Sequence, residues 1–114
     1  MTAPSNMVTW FQLPAADTRR AWGFYEEVFG WSAQRSHTAA PQLGAVHGEI
    51  AERSDELRHP RLVIRVDDLA SSLRRITDAG GRVLVERTEI PAIGMAFATF
   101  VDTEGNQVNI VSDM

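Results

Sequence analysis

Cysteine is absent from the 114 residues, and so is lysine. Without a thiol the chain forms no disulfide, presents no thiolate nucleophile and builds no Cys-rich zinc site. All eleven basic residues are arginine. That bias fits a GC-rich bacterial genome, and the planar guanidinium also binds anions better than an ammonium does. No apolar run approaches the roughly 20 residues that span a bilayer. Met1–Asn6 has neither the basic nor the apolar region of a secretory leader, so a cytoplasmic protein with no membrane partner is expected. A positive excess is missing too. The formal charge of −4 argues against nucleic acid as a partner, because phosphate binding needs clustered cations. Glycine-rich phosphate loops, a serine elbow and a zinc-protease helix are all lacking. The acids fall mainly in caps, linkers and turns, without the convergent pair a glycosidase needs.

What remains is an ordinary globular composition, 44% hydrophobic and 23% charged, sized for one domain or two small modules sharing a core. Sliding the chain by 51 positions places Asp17 on Asp68, Trp22 on Leu73, Tyr25 on Ile76 and Gly30 on Gly81. Trp10–Trp31 and Arg61–Arg82 then share one plan: strand, acidic cap, amphipathic helix, glycine stop. Phe11 and Leu13 alternate with Trp10 and Gln12, and Leu62, Ile64 and Val66 alternate with Arg61, Val63 and Arg65, the period of half-buried strands. Asp17, and then Asp67 or Asp68, offers a carboxylate to the free N–H groups opening a helix. Ala21, Tyr25 and Val28, widened by Trp22 and Phe29, form the apolar stripe of the first helix. Leu69, Leu73 and Ile76 form that of the second. Gly30 and Gly80-Gly81 supply the left-handed residue that ends each.

Beyond the second helix the chain alternates again over Arg82–Arg87, Met95–Val101 and Gln107–Ser112. Asp102–Asn106 is suited to a hairpin turn with Gly105 at positive φ. In the first copy Trp31–Arg35 and Leu43–Ile50 read as strands, His37–Gln42 gives no clean third, and Ala51–Pro60 reads as a polar linker.

Phe11-Gln12-Leu13-Pro14-Ala15-Ala16-Asp17, then Phe24-Tyr25-Glu26-Glu27-Val28-Phe29-Gly30-Trp31, carry a family resemblance in the first copy. Val66-Asp67-Asp68-Leu69, Ala79-Gly80-Gly81 and Phe100-Val101-Asp102-Thr103-Glu104-Gly105-Asn106 carry it in the second. Together they resemble the vicinal-oxygen-chelate superfamily of glyoxalases, bleomycin-resistance proteins and extradiol dioxygenases, in the bacterial branch related to lactoylglutathione lyase. The resemblance implies an α+β fold: a single domain over 1–114 made of two βαβββ modules (about 7–53 and 60–113). Their curled mixed sheets would surround a cavity, with helices on the convex side. It also implies a homodimer, which would cover sheet edges. A ferredoxin-like barrel is the alternative fold, and it predicts fewer strands after the second helix.

In that superfamily a divalent ion is usually held by His and Glu, one residue from each of four strands. The matching positions here are Trp10, Arg61, Asn109 and, on the last strand of the first copy, Glu49 or His47. Trp does not ligate, Arg repels a cation, and Asn is a feeble donor. No cofactor is therefore expected, and a divalent metal at Glu49 and His47 is the alternative.

Trp10 shares a strand face with Gln12 and offers a flat apolar surface for stacking or for packing against the other module. Arg61 and Arg65 flank Val63 and suit a carboxylate or phosphate, or an ion pair with Glu49. Phe97 belongs to a strand apolar on both faces. The candidate ligand-binding residues are thus Trp10, Gln12, His47, Glu49, Arg61, Val63, Phe97 and Asn109, with an aromatic or anionic small molecule as partner. Metal-independent binding is the leading reading. A metal-dependent lyase or isomerase is the second, and an interaction module without small ligand the third.

Overall fold

The computed structural model of the chain describes residues 5–31 and 46–114. Its elements run β1 (Met7–Ala15), α1 (Thr18–Phe29), β2 (His47–Glu52), β3 (Arg61–Arg65), α2 (Leu69–Asp78), β4 (Arg82–Ile90), β5 (Met95–Val101) and β6 (Gln107–Asp113). Pairing is parallel for β1 with β2 and for β3 with β6, and antiparallel for β5 with β4 and β6. The expected α+β class with mixed strands holds. Two compact units divide the chain: Thr9–Leu62, and Val63–Met114 with the segment that ends at Val8.

In the C-terminal unit the strand order is β3-β6-β5-β4, with β4 at the edge. The β5–β6 hairpin turns where expected. Asp102 Oδ1 accepts from the backbone N–H groups of Glu104 and Asn106, its N–H donates to the Asn106 carbonyl, and Gly105 takes φ +87. Hydrogen bonds from the Asn106 side chain, then from the Asn106 and Glu104 backbone, hold the Asp102 carboxyl below the usual carboxylate range. Asp68 is the N-cap of α2, accepting from Ala70 N–H. At the other end Gly81 N–H donates to Ile76 and Gly80 N–H to Thr77, with Gly80 at φ +103, a Schellman closure. One face of α2 then meets the sheet. Leu69 (2% exposed) packs with Val66, Ala96, Ala98 and Ile110, and Leu73, Ile76, Ile64 and Phe100 surround that core. The alanines on β5 lack bulk, so the helix lies close to the strand. Leu62 departs from the expected alternation. It is 51% exposed, while Arg61 and Val63 are buried. Strand β4 runs three residues past the expected end at Arg87, to Ile90. Register shifts between Val83 and Val85 and between Val85 and Thr88 break the period of two that the sequence would have to show. Charges and irregularities of this kind also blunt an edge strand against further pairing.

Among the described residues the N-terminal unit follows the same plan with two strands. Asp17 caps α1 by accepting from Arg20 N–H, and Gly30 (φ +73) ends it, its N–H donating to the Glu26 carbonyl and Trp31 N–H to the Tyr25 carbonyl. Trp31, expected at the start of a strand, stacks on Tyr25 with centroids 4.5 Å apart and lies 6.1 Å from Phe11. The apolar stripe of α1 is narrower than expected. Ala21, Trp22 and Tyr25 are half-buried, whereas Val28 and Phe29 are exposed, Phe29 at 63%. Only two described strands, β1 and β2, lie in this unit beside the start of β3. Strand β2 extends through Ala51 and Glu52, which the sequence assigned to the linker, because its register with β1 continues to Ala15 and Glu52. The rest of that linker is folded: Leu57 is buried, its N–H donating to Ser54 Oγ. All of the strand expected over Trp31–Arg35 beyond Trp31, the segment His37–Gln42 and the start of the strand at Leu43 lie outside the described residues. No described helix is long and apolar enough to cross a membrane.

Candidate functional site

Parallel pairing of β1 and β2 sets Trp10 opposite His47 and Gln12 opposite Glu49. Side chains alternate across a strand, so these four share one face. The other face carries Phe11, which meets Trp31, and Gly48, which is buried. There the backbone approach is so close that a Cβ on Gly48 would lie 2.6 Å from the Phe11 carbonyl oxygen and 2.7 Å from its ring. Glycine at position 48 is what lets β2 approach β1 this closely. On that face Gln12 Nε2 donates to Glu49 Oε1 at 2.8 Å. All four are half-buried, so the carboxylate is partly desolvated and its orientation is fixed by the amide.

Arg61 is buried at 9% exposure, and its guanidinium donates to the Glu56 carbonyl. Burial disfavours the charged form and lowers its pKa from the ordinary arginine value. The expected alternative of an ion pair between Arg61 and Glu49 is not formed: Gln12 holds the Glu49 carboxylate, and the folded linker supplies the acceptor for Arg61. His59 of the same linker is exposed.

In the C-terminal unit the face of β5 left open by the sequence is settled by the core. Ala96, Ala98 and Phe100 face α2, so Met95, Phe97 and Thr99 point the other way. Asn109 stands in register with Val63 on one side and Thr99 on the other. Thr99 (1% exposed) donates its hydroxyl to Asn109 Oδ1 at 2.7 Å. Two residues along, Phe97 pairs with Val111, which pairs with Arg65, and Arg65 forms an ion pair with Asp113 at 2.7 Å. Val63, Phe97 and Asn109 are thus brought to one face. Thr99 is the residue that sequence reasoning passed over. The hairpin turn already implied it, since pairing Val101 with Gln107 forces Thr99 opposite Asn109.

Taken one by one, the positions that would hold a divalent ion carry chemistry that does not fit one. Trp10 has no ligand atom, Arg61 is a cationic donor, and Asn109 Oδ1 already accepts from Thr99. Glu49 is the one carboxylate among them. Among the described residues no three His, Cys, Asp or Glu side chains come together.

A family model described as the Glyoxalase/Bleomycin resistance protein/Dioxygenase superfamily matches residues 7–110. A glyoxylase-like domain-containing protein of Didymella fabae is 27% identical over 114 residues, covering 89% of each chain. Methylmalonyl-CoA epimerase from Mycobacterium tuberculosis is structurally similar with a TM-score of 0.67 at 20% identity, covering 100% of this chain and 93% of that one. The Streptomyces coelicolor methylmalonyl-CoA epimerase, in complex with 2-nitronate-propionyl-CoA, gives 0.68 at 14% identity over 96% and 99% of the two chains. At these identities the structural likeness speaks to the fold.

Proposed function

Because the chain belongs to the glyoxalase, bleomycin-resistance and dioxygenase superfamily, we propose that it is a metal-independent binder of a small aromatic molecule. The face formed by Trp10, Gln12, His47 and Glu49 carries this reading. It gathers an indole, an amide, an imidazole and a carboxylate in register on two strands. Stacking on Trp10 supplies apolar area, and the polar groups orient the ligand. The four metal positions favour binding without a resident ion, since only Glu49 among them offers ligand chemistry suited to one. An anionic ligand in the manner of the CoA esters is the neighbouring reading, with Arg65 as its anchor. A two-fold homodimer in the cytoplasm belongs to the same proposal.

A thermal-shift titration of chelator-treated protein with Ni²⁺, Zn²⁺, Mn²⁺ and Fe²⁺ tests the metal-free part. A ligand that binds only the folded state raises the melting temperature. The expected result is no saturable rise with any ion. A saturable rise that disappears in Glu49→Ala would replace this reading with a metal-dependent lyase or isomerase.

A further inference from the structure

Glu49 is the charged centre of its face, and the groups around it define what it lacks. Strand β1 contains no ionisable side chain, and β2 contributes only His47, Glu49 and Glu52. No arginine on either strand balances the Glu49 carboxylate, and no ion pair among the described residues reaches it. Arg53, the nearest cation along the chain, is exposed and forms no ion pair with it, and Arg61 gives a guanidinium hydrogen bond to the Glu56 carbonyl. The carboxylate is half-buried and receives the Gln12 amide on Oε1. An ionised carboxylate accepts at roughly four lone-pair positions over two oxygens. The bond from Gln12 therefore leaves Oε2 as an acceptor whose direction is set but whose charge is uncompensated within the strand pair.

Strands stand about 4.8 Å apart and alternate residues about 6.6 Å apart, so Trp10, His47, Gln12 and Glu49 occupy the corners of a patch about 5 by 7 Å. Trp10 lies diagonal to Glu49 on it. An aromatic face beside a fixed carboxylate is the pairing that recognises an ammonium: the ring quadrupole attracts a cation within about 6 Å, and the carboxylate supplies the full counter-charge. Toward Pro14 and Ala51, which continue the register, the same face turns apolar and suits a hydrocarbon substituent.

Resting on the reading of this face as a ligand site, we propose that its ligand is an organic cation: an amine or quaternary ammonium joined to an aromatic or apolar group. Trp10 takes the cation and the ring, Glu49 neutralises the charge, and Gln12 is a positioning residue that acts through Glu49.

Isothermal titration at neutral pH with chelator present, using benzyltrimethylammonium, benzyl alcohol and benzoate, tests the charge directly, because the three share a ring and differ in sign. The expected order is cation first, by at least about tenfold over the neutral probe. That advantage should vanish in Glu49→Gln, which keeps the shape and the Gln12 contact, and shrink as salt is added. Trp10→Leu should weaken both the cation and the alcohol. Gln12→Leu should weaken the cation alone. Benzoate binding as well as the cation, or a cation affinity unchanged in Glu49→Gln, overturns this proposal and leaves the small-molecule reading standing. Failure of all three probes to bind overturns both.

Discussion

Helices α1 and α2 open in the same way, each capped by an aspartate that accepts from a backbone N–H in the first turn. Yet α2 buries Leu69 to 2% exposure, and α1 buries no residue. The difference lies beneath the helices. Four strands at about 4.8 Å make a floor about 14 Å wide, broader than a helix of about 10 Å with its side chains, whereas two strands give about 5 Å. The C-terminal unit has the first kind of floor. The described part of the N-terminal unit, resting mainly on β1 and β2, is near the second. Capping is therefore a local property that both copies share, and burial is a collective one that they do not. The polar faces differ as well. The C-terminal unit closes its polar pair, Thr99 with Asn109, inside the fold. The N-terminal unit leaves Gln12 and Glu49 half-buried.

The contrast is sharpest for truncation of apolar side chains. Leu69→Ala removes a side chain from a packed core and should cost about 2–5 kcal/mol. Phe29→Ala should stay within about 0.5 kcal/mol, as at other exposed positions. Urea denaturation followed by circular dichroism measures both, and equal losses would remove the distinction between the two helices. A smaller effect is expected at Gly48, where the N-terminal unit is tight despite its open helix. With a Cβ placed 2.6 Å from the Phe11 oxygen, Gly48→Ala should cost about 1–3 kcal/mol. Gly23→Ala on α1 meets nothing within 4 Å and should stabilise by up to about 1 kcal/mol through helix propensity. If Gly48→Ala were silent, the close approach of β2 to β1 would not be a constraint. Smallest of all should be the difference between caps. Asp17→Ala and Asp68→Ala should each cost about 1 kcal/mol, alike in both units, and a large inequality would show that capping is not local here.

The C-terminal unit was legible almost throughout. Met95–Val101 was placed with its bounds, the cap of α2 was narrowed to Asp67 or Asp68, and the stripe of Leu69, Leu73 and Ile76 faces the core as its spacing requires. These features depend on neighbours close in sequence. The misses have a common cause. Val28 and Phe29 lie on the correct stripe of α1, but a stripe states only which face would be buried, and the floor beneath it is set by chain far away. Bulges hid the end of β4. Arg61 was left between an anion anchor and an ion pair with an acid, because nothing in a strand alternation says that the Glu56 carbonyl will meet its guanidinium. The four-residue face was half legible: Trp10 with Gln12 and His47 with Glu49 follow from parity, while the registry of the two strands does not.

Residue order by itself determined the α+β class, the repeated strand–cap–helix plan, the turn at Asp102–Asn106 and the substitutions at the family's metal positions, because periodicity, capping and turn chemistry act over a few residues. Tertiary structure decided which cation meets which acceptor and whether an apolar stripe is covered. It also decided that Gln12 holds Glu49 beside Trp10, because strand registry and burial arise only when segments distant in sequence compete for the same space.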